Sequence, residues 1–173
     1  MPKIDAIKAI YASHTENNLE YKPTTKGMWA TSLAEDLFEI FKGLDLSRFS
    51  HFADLGSGDG RVVAVASLFT KADGYEIDEG LCQYSRRVQE ELSLPLSRFY
   101  CMDYLLADLS RYDLMFVYPD KPLQSLVDRI ERGWCGHLLV GGPHFPPQGL
   151  RRKEQYQAGF TRCTLYEHLN DPF

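Results

Sequence analysis

From residue 51 onward the chain alternates between short apolar runs and longer segments whose apolar residues recur every three or four positions. "HFADL" reads as a strand, "RVVAVASLF" as a buried helix, "ADGYEI" as a strand, "EGLCQYSRRVQEEL" as an amphipathic helix and "SRFYCM" as a strand. "YDLMFVY" is another strand, "LQSLVDRIERG" another helix, "GHLLVGG" a further strand, and "FTRCTLYEHL" a last strand in the tail. Strands alternating with helices of about ten residues predict right-handed crossovers and a parallel sheet covered on both faces. The fold class is therefore α/β, doubly wound, with a mostly parallel Rossmann-like sheet. Ahead of it, residues 4–11 place Ile4, Ile7, Ile10 and Tyr11 at helical spacing. A polar segment, "ASHTENNLEYKPTTKG", separates this helix from a second one. There Ser32 and Glu35 form a Ser-x-x-Glu capping box, Leu33, Leu37, Phe38 and Phe41 share one face, and Gly43 stops the helix.

At 173 residues and 44% hydrophobic content, the expectation is a single domain, with residues 1–45 as a helical extension and 46–173 as the α/β core. A net charge of −5 and no basic run argue against a large nucleic-acid footprint, so a protein or small-molecule partner is favoured. Charges interrupt the apolar residues of "MPKIDAIKAIY", and nowhere do about 18 apolar residues run together, which points to a cytoplasmic chain that does not enter a membrane. Cys82, Cys101, Cys135 and Cys163 are irregularly spaced, with no CxxC pair and no zinc-ligand spacing. Reduced, mostly buried thiols and no metal are expected.

In such a sheet ligands sit beyond the carboxyl ends of the strands, near the point where strand order reverses. The first predicted tip is Asp54-Leu55-Gly56-Ser57-Gly58-Asp59-Gly60. Alternate glycines permit positive φ and close approach of a ligand to the main chain, and the helix that follows offers its first amides to it. The dinucleotide fingerprint G-x-G-x-x-G does not fit, because the third glycine arrives one residue early. Asp54 stands just before the glycines. A carboxylate there repels pyrophosphate and favours a ligand with an ammonium or sulfonium, and S-adenosylmethionine carries both. Glu76, ending the next strand, can accept from both hydroxyls of a ribose, a role equally available in NAD sites. Asp103 and Tyr104, after "FYCM", can accept from an adenine amino group and cover its ring.

"DLGSGDGR", "GYEID", "CMDYL" and "YDLMFVYPD", in that order, resemble the motifs of class I S-adenosylmethionine-dependent methyltransferases over roughly residues 21–145. The resemblance implies the class I methyltransferase fold with S-adenosyl-L-methionine as cofactor. It places Asp54 and the loop of Gly56, Ser57, Gly58 and Gly60 at the methionine portion, Glu76 with Ile77 at the ribose end, and Asp103 with Tyr104 at the adenine. "YKPTTKGMW", then "DLGSGDGRVV", then "PHF" are similar to small protein-lysine methyltransferases of the archaeal and mitochondrial type, and more distantly to histone methyltransferases of the Dot1 type. That likeness sets Thr24 and Thr25 against the cofactor.

Simpler roles compete at several positions. The glycines could form only a tight turn, Glu76 could cap the next helix (with Asp78 the better cap), and Asp103 could be an ordinary loop acid. "FVYPDKP" lacks the Asn-Pro-Pro-Tyr or Asp-Pro-Pro-Tyr box of amide and base methylation. Pro119 could merely break the strand and Asp120 cap the following helix. Tyr118 is the candidate catalytic residue, as an acceptor-orienting group that also borders the cofactor. His144 could act as a base or simply be exposed. Trp29 and Tyr21 could cover the cofactor or join the core. The "RRK" of residues 151–153 reads as a solvated turn. The chain is thus read as an S-adenosylmethionine-dependent methyltransferase whose acceptor is unknown, a protein lysine being one candidate. A non-catalytic binder of the cofactor or of S-adenosylhomocysteine, and an NAD(P)-dependent oxidoreductase, are the alternatives.

Overall fold

The computed structural model describes residues 3–14, 22–24, 27–29, 33–130 and 133–168. Seven strands form one sheet: β3 (His51–Leu55), β4 (Lys71–Glu76), β5 (Ser97–Cys101), β6 (Leu114–Val117), β7 (His137–Gly141), β8 (Leu150–Ala158) and β9 (Thr161–His168). Their order is β5-β4-β3-β6-β7-β9-β8. The strands from β5 to β7 pair in parallel, and β9 and β8 close the sheet as an antiparallel hairpin. The chain runs outward from β3 through β4 to β5, then returns to the other side of β3 for β6 and β7. The switch point lies between β3 and β6, so their carboxyl tips splay apart and leave a crevice.

The helices are α1 (Lys3–His14), α2 (Ala34–Gly43), α3 (Arg61–Ala66), α4 (Glu79–Glu91) and α5 (Gln124–Ile130). Alternation along the strands sends Phe52, Leu114 and Phe116 into one cluster, with Ile7, Tyr11, Leu37, Phe41, Val63 and Val88 of the four N-terminal helices. Ala53, Leu55, Met115 and Val117 face the other way, onto Leu126 and Val127 of α5 and onto Tyr112 and Trp134. β6 is apolar throughout because both faces are covered. All of α3 is buried, since α1, α2 and the sheet enclose it.

Several expectations change. The polar segment after α1 holds a two-stranded hairpin, β1 (Lys22–Thr24) with β2 (Gly27–Trp29), so the N-terminal portion is not purely helical. Ser32 of the expected capping box lies outside the described residues; Leu33 is the N-cap, makes no side-chain cap bond and is 45% exposed instead of joining the buried face. Ile40 takes its place, one turn from Leu37. The expected turn at 151–153 is part of the edge strand β8. Backbone pairing with β9 extends it although its outer face is too polar to show alternation. Asp120 does not cap α5, which begins at Gln124. Of the thiols, Cys82 and Cys163 are buried but Cys101 and Cys135 are exposed.

The hairpin of β8 and β9 is tied down by Asp36 of α2. Its carboxylate accepts from the Phe160 and Thr161 amides, both at 3.2 Å, and from the Thr161 hydroxyl at 3.0 Å. A Cβ on Gly159, whose φ is +50°, would stand 2.4 Å from that carboxylate, so only glycine allows the clamp to close.

Candidate active site

The crevice at the switch point is a cleft of about 150 Å³. Gly56 from the β3 tip, Glu76 and Ile77 from β4, Asp103 and Tyr104 after β5, and Tyr118 after β6 all line it. Six positions singled out from sequence therefore meet in one place. Leu55, Met102, Val117 and Leu123 give it apolar walls that no spacing pattern marks as a site. Asp54, Ser57, Gly58 and Gly60 belong to the same strand tip and loop but do not line the cleft. Thr24 ends β1 and Trp29 ends β2, while Tyr21 and Thr25 lie outside the described residues.

The glycine loop is built from several parts with different tasks. Gly56 has φ +92°, and a Cβ there would meet nothing within 4 Å, because it would project into open space. Gly58 also has positive φ and donates its amide to Glu76 Oε2 at 2.9 Å. Gly60 is a packing glycine: a Cβ would sit 2.7 Å from Ser85 Oγ and 2.8 Å from the Phe99 ring. Ser57 is buried against Gly74, and its hydroxyl has no partner. The loop is braced from outside by an interaction that the glycine pattern hides. Arg61 donates to Asp59 at 2.6 Å and 3.0 Å, both groups being buried, and Tyr11 of α1 lies under the guanidinium and donates to the Asp59 carbonyl at 3.2 Å. The only sequence trace of this brace is opposite charge across a single glycine. Burial, and then the charges of Asp59 and Tyr84, raise the Tyr11 phenol well above its usual range.

Glu76 is a second brace. Its Oε1 accepts from the Ile77 and Asp78 amides at 2.8 and 2.9 Å, and Oε2 takes only the Gly58 amide. A carboxylate oxygen has two lone pairs, so Oε2 retains one for a ligand hydroxyl. The cap of α4 is Asp78, as its position suggested, accepting from the Leu81 amide at 3.1 Å. Asp103 caps a single 3-10 turn through Oδ1, leaving Oδ2 for other donors. Tyr104 sits between Asp103 and Asp120; burial first, then these charges, raise its phenol.

Asp54 is only 2% exposed, and no described residue donates a hydrogen bond to its carboxylate. Burial raises its pKa well above the usual carboxylate range, and the charges of Glu76 and Asp59 add to this. A buried carboxylate without donors among the described residues, beside two more carboxylates, favours a cation. Tyr118 is fixed differently. Its ring lies against Gly141 and Gly142, where a Cβ would approach to 2.5 and 2.9 Å, so the two glycines give the ring its seat.

A crevice at the switch point, a glycine loop without the pyrophosphate fingerprint, carboxylates on the next two tips and an unsatisfied acid behind the loop define the class I methyltransferase type of α/β protein. Solved structures share this fold. The chain matches an RNA methyltransferase from Salinibacter ruber in complex with S-adenosyl-L-homocysteine at TM-score 0.62 and 19% identity, over 79% of this chain and 92% of that one. It matches the putative methyltransferase yhhF from Escherichia coli at 0.60 and 18%, over 76% and 85%. MtNAS in complex with MTA and tNA matches at 0.63 and 16%, over 76% of this chain but only 60% of that one. No curated protein sequence matches. The family model described as "Histone methylation protein DOT1" matches residues 8–125, and the chain belongs to the DOT1 family. It is an S-adenosylmethionine-dependent methyltransferase. The residues present suit that cofactor: the buried Asp54 carboxylate lies among acids and favours a cation, Glu76 Oε2 accepts one described bond and keeps a lone pair, and no described atom crowds Gly56.

Proposed function

We propose that this methyltransferase acts on an amine nitrogen of a protein, a lysine side chain. The observation that carries this is the setting of Tyr118. Its ring, seated on Gly141 and Gly142, lines the cleft beside Asp120, whose carboxylate favours an approaching cation, with Lys121 the neighbouring charge on that segment. The family description, which names histone methylation, supports a protein acceptor.

In this reading Asp54 takes the cofactor's ammonium, with Gly56 and Gly58 presenting main chain to its methionine portion. Ser57 and Gly60 hold that loop in shape. Glu76 accepts from ribose hydroxyls, Asp103 from the adenine amino group, and Ile77 and Tyr104 cover the ring. The family resemblance adds Thr24 and Thr25 as residues lying against the cofactor. The cofactor supplies a methyl group already activated on a sulfonium, so the protein's work is proximity, orientation and exclusion of water. Val117, Leu123 and Met102 desolvate an entering amine, and desolvation lowers an ammonium's pKa, favouring the neutral nucleophile. Tyr118 then aims the lone pair through a hydrogen bond.

Residues 1–173 act as one domain in a cytoplasmic protein: Ile7, Leu37 and Phe41 share a core cluster with Phe52, Leu139 and Leu165 of the sheet. No helix among the described residues is long and apolar enough to cross a membrane. The test is transfer of labelled methyl from S-adenosylmethionine into protein of a cell extract, followed by amino-acid analysis. Label recovered in methylated lysine supports the reading; label only in nucleic acid or small molecules refutes it.

A further inference from the structure

A second concavity, of about 240 Å³, lies on the other side of Tyr118. His144, Arg152, Gln155, Arg162, Thr164 and Tyr166 line it, and Gly142 forms part of its wall. Gly142 is also the residue against which the Tyr118 hydroxyl rests. The two hollows are therefore neighbours across the contact of Tyr118 with Gly142.

The chemistry of the second hollow is the reverse of the first. Its described lining has two guanidiniums, an imidazole, two hydroxyls and an amide, and no carboxylate, in a chain whose net charge is −5. Arg151 and Lys153 are neighbours in sequence, but both pair with Glu167. Among the described residues Arg152 bonds to the Gln155 side chain, and neither it nor Arg162 is paired with an acid. α2 packs on the other face of the hairpin through Asp36 and Tyr156, and no described helix packs on this one. The rim is strained: Phe145 stands between His144 and Pro146 with φ +52° and is 40% exposed.

We propose that this hollow binds a carboxylate of the acceptor protein, an Asp or Glu side chain close to the methylated lysine. The inference rests on the lysine reading and deepens it. A lysine drawn toward Asp120, with an acid drawn toward Arg152 and Arg162, fixes the acceptor's register by two opposite charges. A nucleic acid is the poorer occupant, because a phosphate backbone needs a basic track, and here two arginines sit beside an acidic cleft.

The experiment uses the full chain with S-adenosylmethionine present and a labelled short peptide carrying one lysine among glutamates. The same peptide with glutamines serves as the control. Wild type binds the glutamate peptide more tightly than the control, and the preference weakens as salt is raised. Arg152→Glu and Arg162→Glu each reduce glutamate-peptide affinity at least about tenfold, while calorimetric S-adenosylmethionine affinity stays within about twofold. Equal binding of the two peptides, or variants that bind like wild type, overturns the inference. A single-stranded oligonucleotide that binds more tightly than the peptide and loses affinity in both variants overturns it in favour of nucleic acid. Failure of wild type to bind S-adenosylmethionine counts instead against the methyltransferase reading.

Discussion

Asp54→Asn tests the site where its physics is most exposed. The carboxylate is 2% exposed, meets no donor among the described residues, and lies in the field of Glu76 and Asp59. Its folded-state pKa stands above the unfolded value, so the native state is favoured by protonation. That stability is present below the unfolded carboxylate pKa and is lost as pH rises through the folded one. At neutral pH the free protein therefore carries a destabilising group. Asparagine removes the charge at equal volume but leaves a buried amide, which sets the gain at the low end of the range for an unsatisfied charge, about 1–2 kcal/mol. For a chain of this size that is roughly 2–8 °C in Tm. Differential scanning calorimetry of both proteins across pH should show the variant more stable at neutral pH and the difference vanishing in acid. The same variant should bind S-adenosylmethionine at least about tenfold more weakly, because a charge-assisted bond to the ammonium is gone. A variant less stable than wild type at neutral pH would refute the reasoning, since the carboxylate would then have a native partner.

Other outcomes follow from particular contacts. Gly142→Ala places a Cβ 2.9 Å from the Tyr118 hydroxyl, at φ +75°; methyl transfer should fall more than about tenfold while calorimetric cofactor affinity changes less than about twofold. Asp36→Ala removes the acceptor of three bonds that hold the β8–β9 hairpin, and urea denaturation should show a loss of about 2–4 kcal/mol. Glu76→Ala frees the Gly58, Ile77 and Asp78 amides together; it should weaken both stability and cofactor affinity, whereas a pure ligand contact would weaken affinity alone. Cys101 is exposed, whereas Cys82 is buried with its thiol pushed up to about 12, burial being the first cause and Cys101 the next. Maleimide at mildly alkaline pH, read by mass spectrometry, should label Cys101 well before Cys82.

The parallel core was legible because hydrophobic period is a local property: five apolar runs separated by helical runs leave one sensible sheet. Strand-tip positions followed, and with them Gly56, Glu76, Asp103 and Tyr118, since the switch-point rule turns a list of strands into a place. The division of labour inside the glycine loop was not legible. Gly56 and Gly60 look alike in sequence, and only their surroundings, open space for one and Ser85 with Phe99 for the other, separate a ligand-facing glycine from a packing glycine. Residues 151–153 of the edge strand β8 look like a turn in sequence because the partner β9 supplies their order through the backbone, which leaves little trace in side-chain pattern.

By itself, then, the sequence determined the α/β class, the order of its elements and the type of cofactor, because periodicity and a charged glycine turn act over a few neighbouring residues. The tertiary structure decided which acids are paired and which are not. It closed Asp59 onto Arg61, left Asp54 without a donor among the described residues, and set Arg152 and Arg162 in one hollow. Burial and pairing depend on residues far apart in the chain, and a charge has chemical meaning only once its neighbours are known.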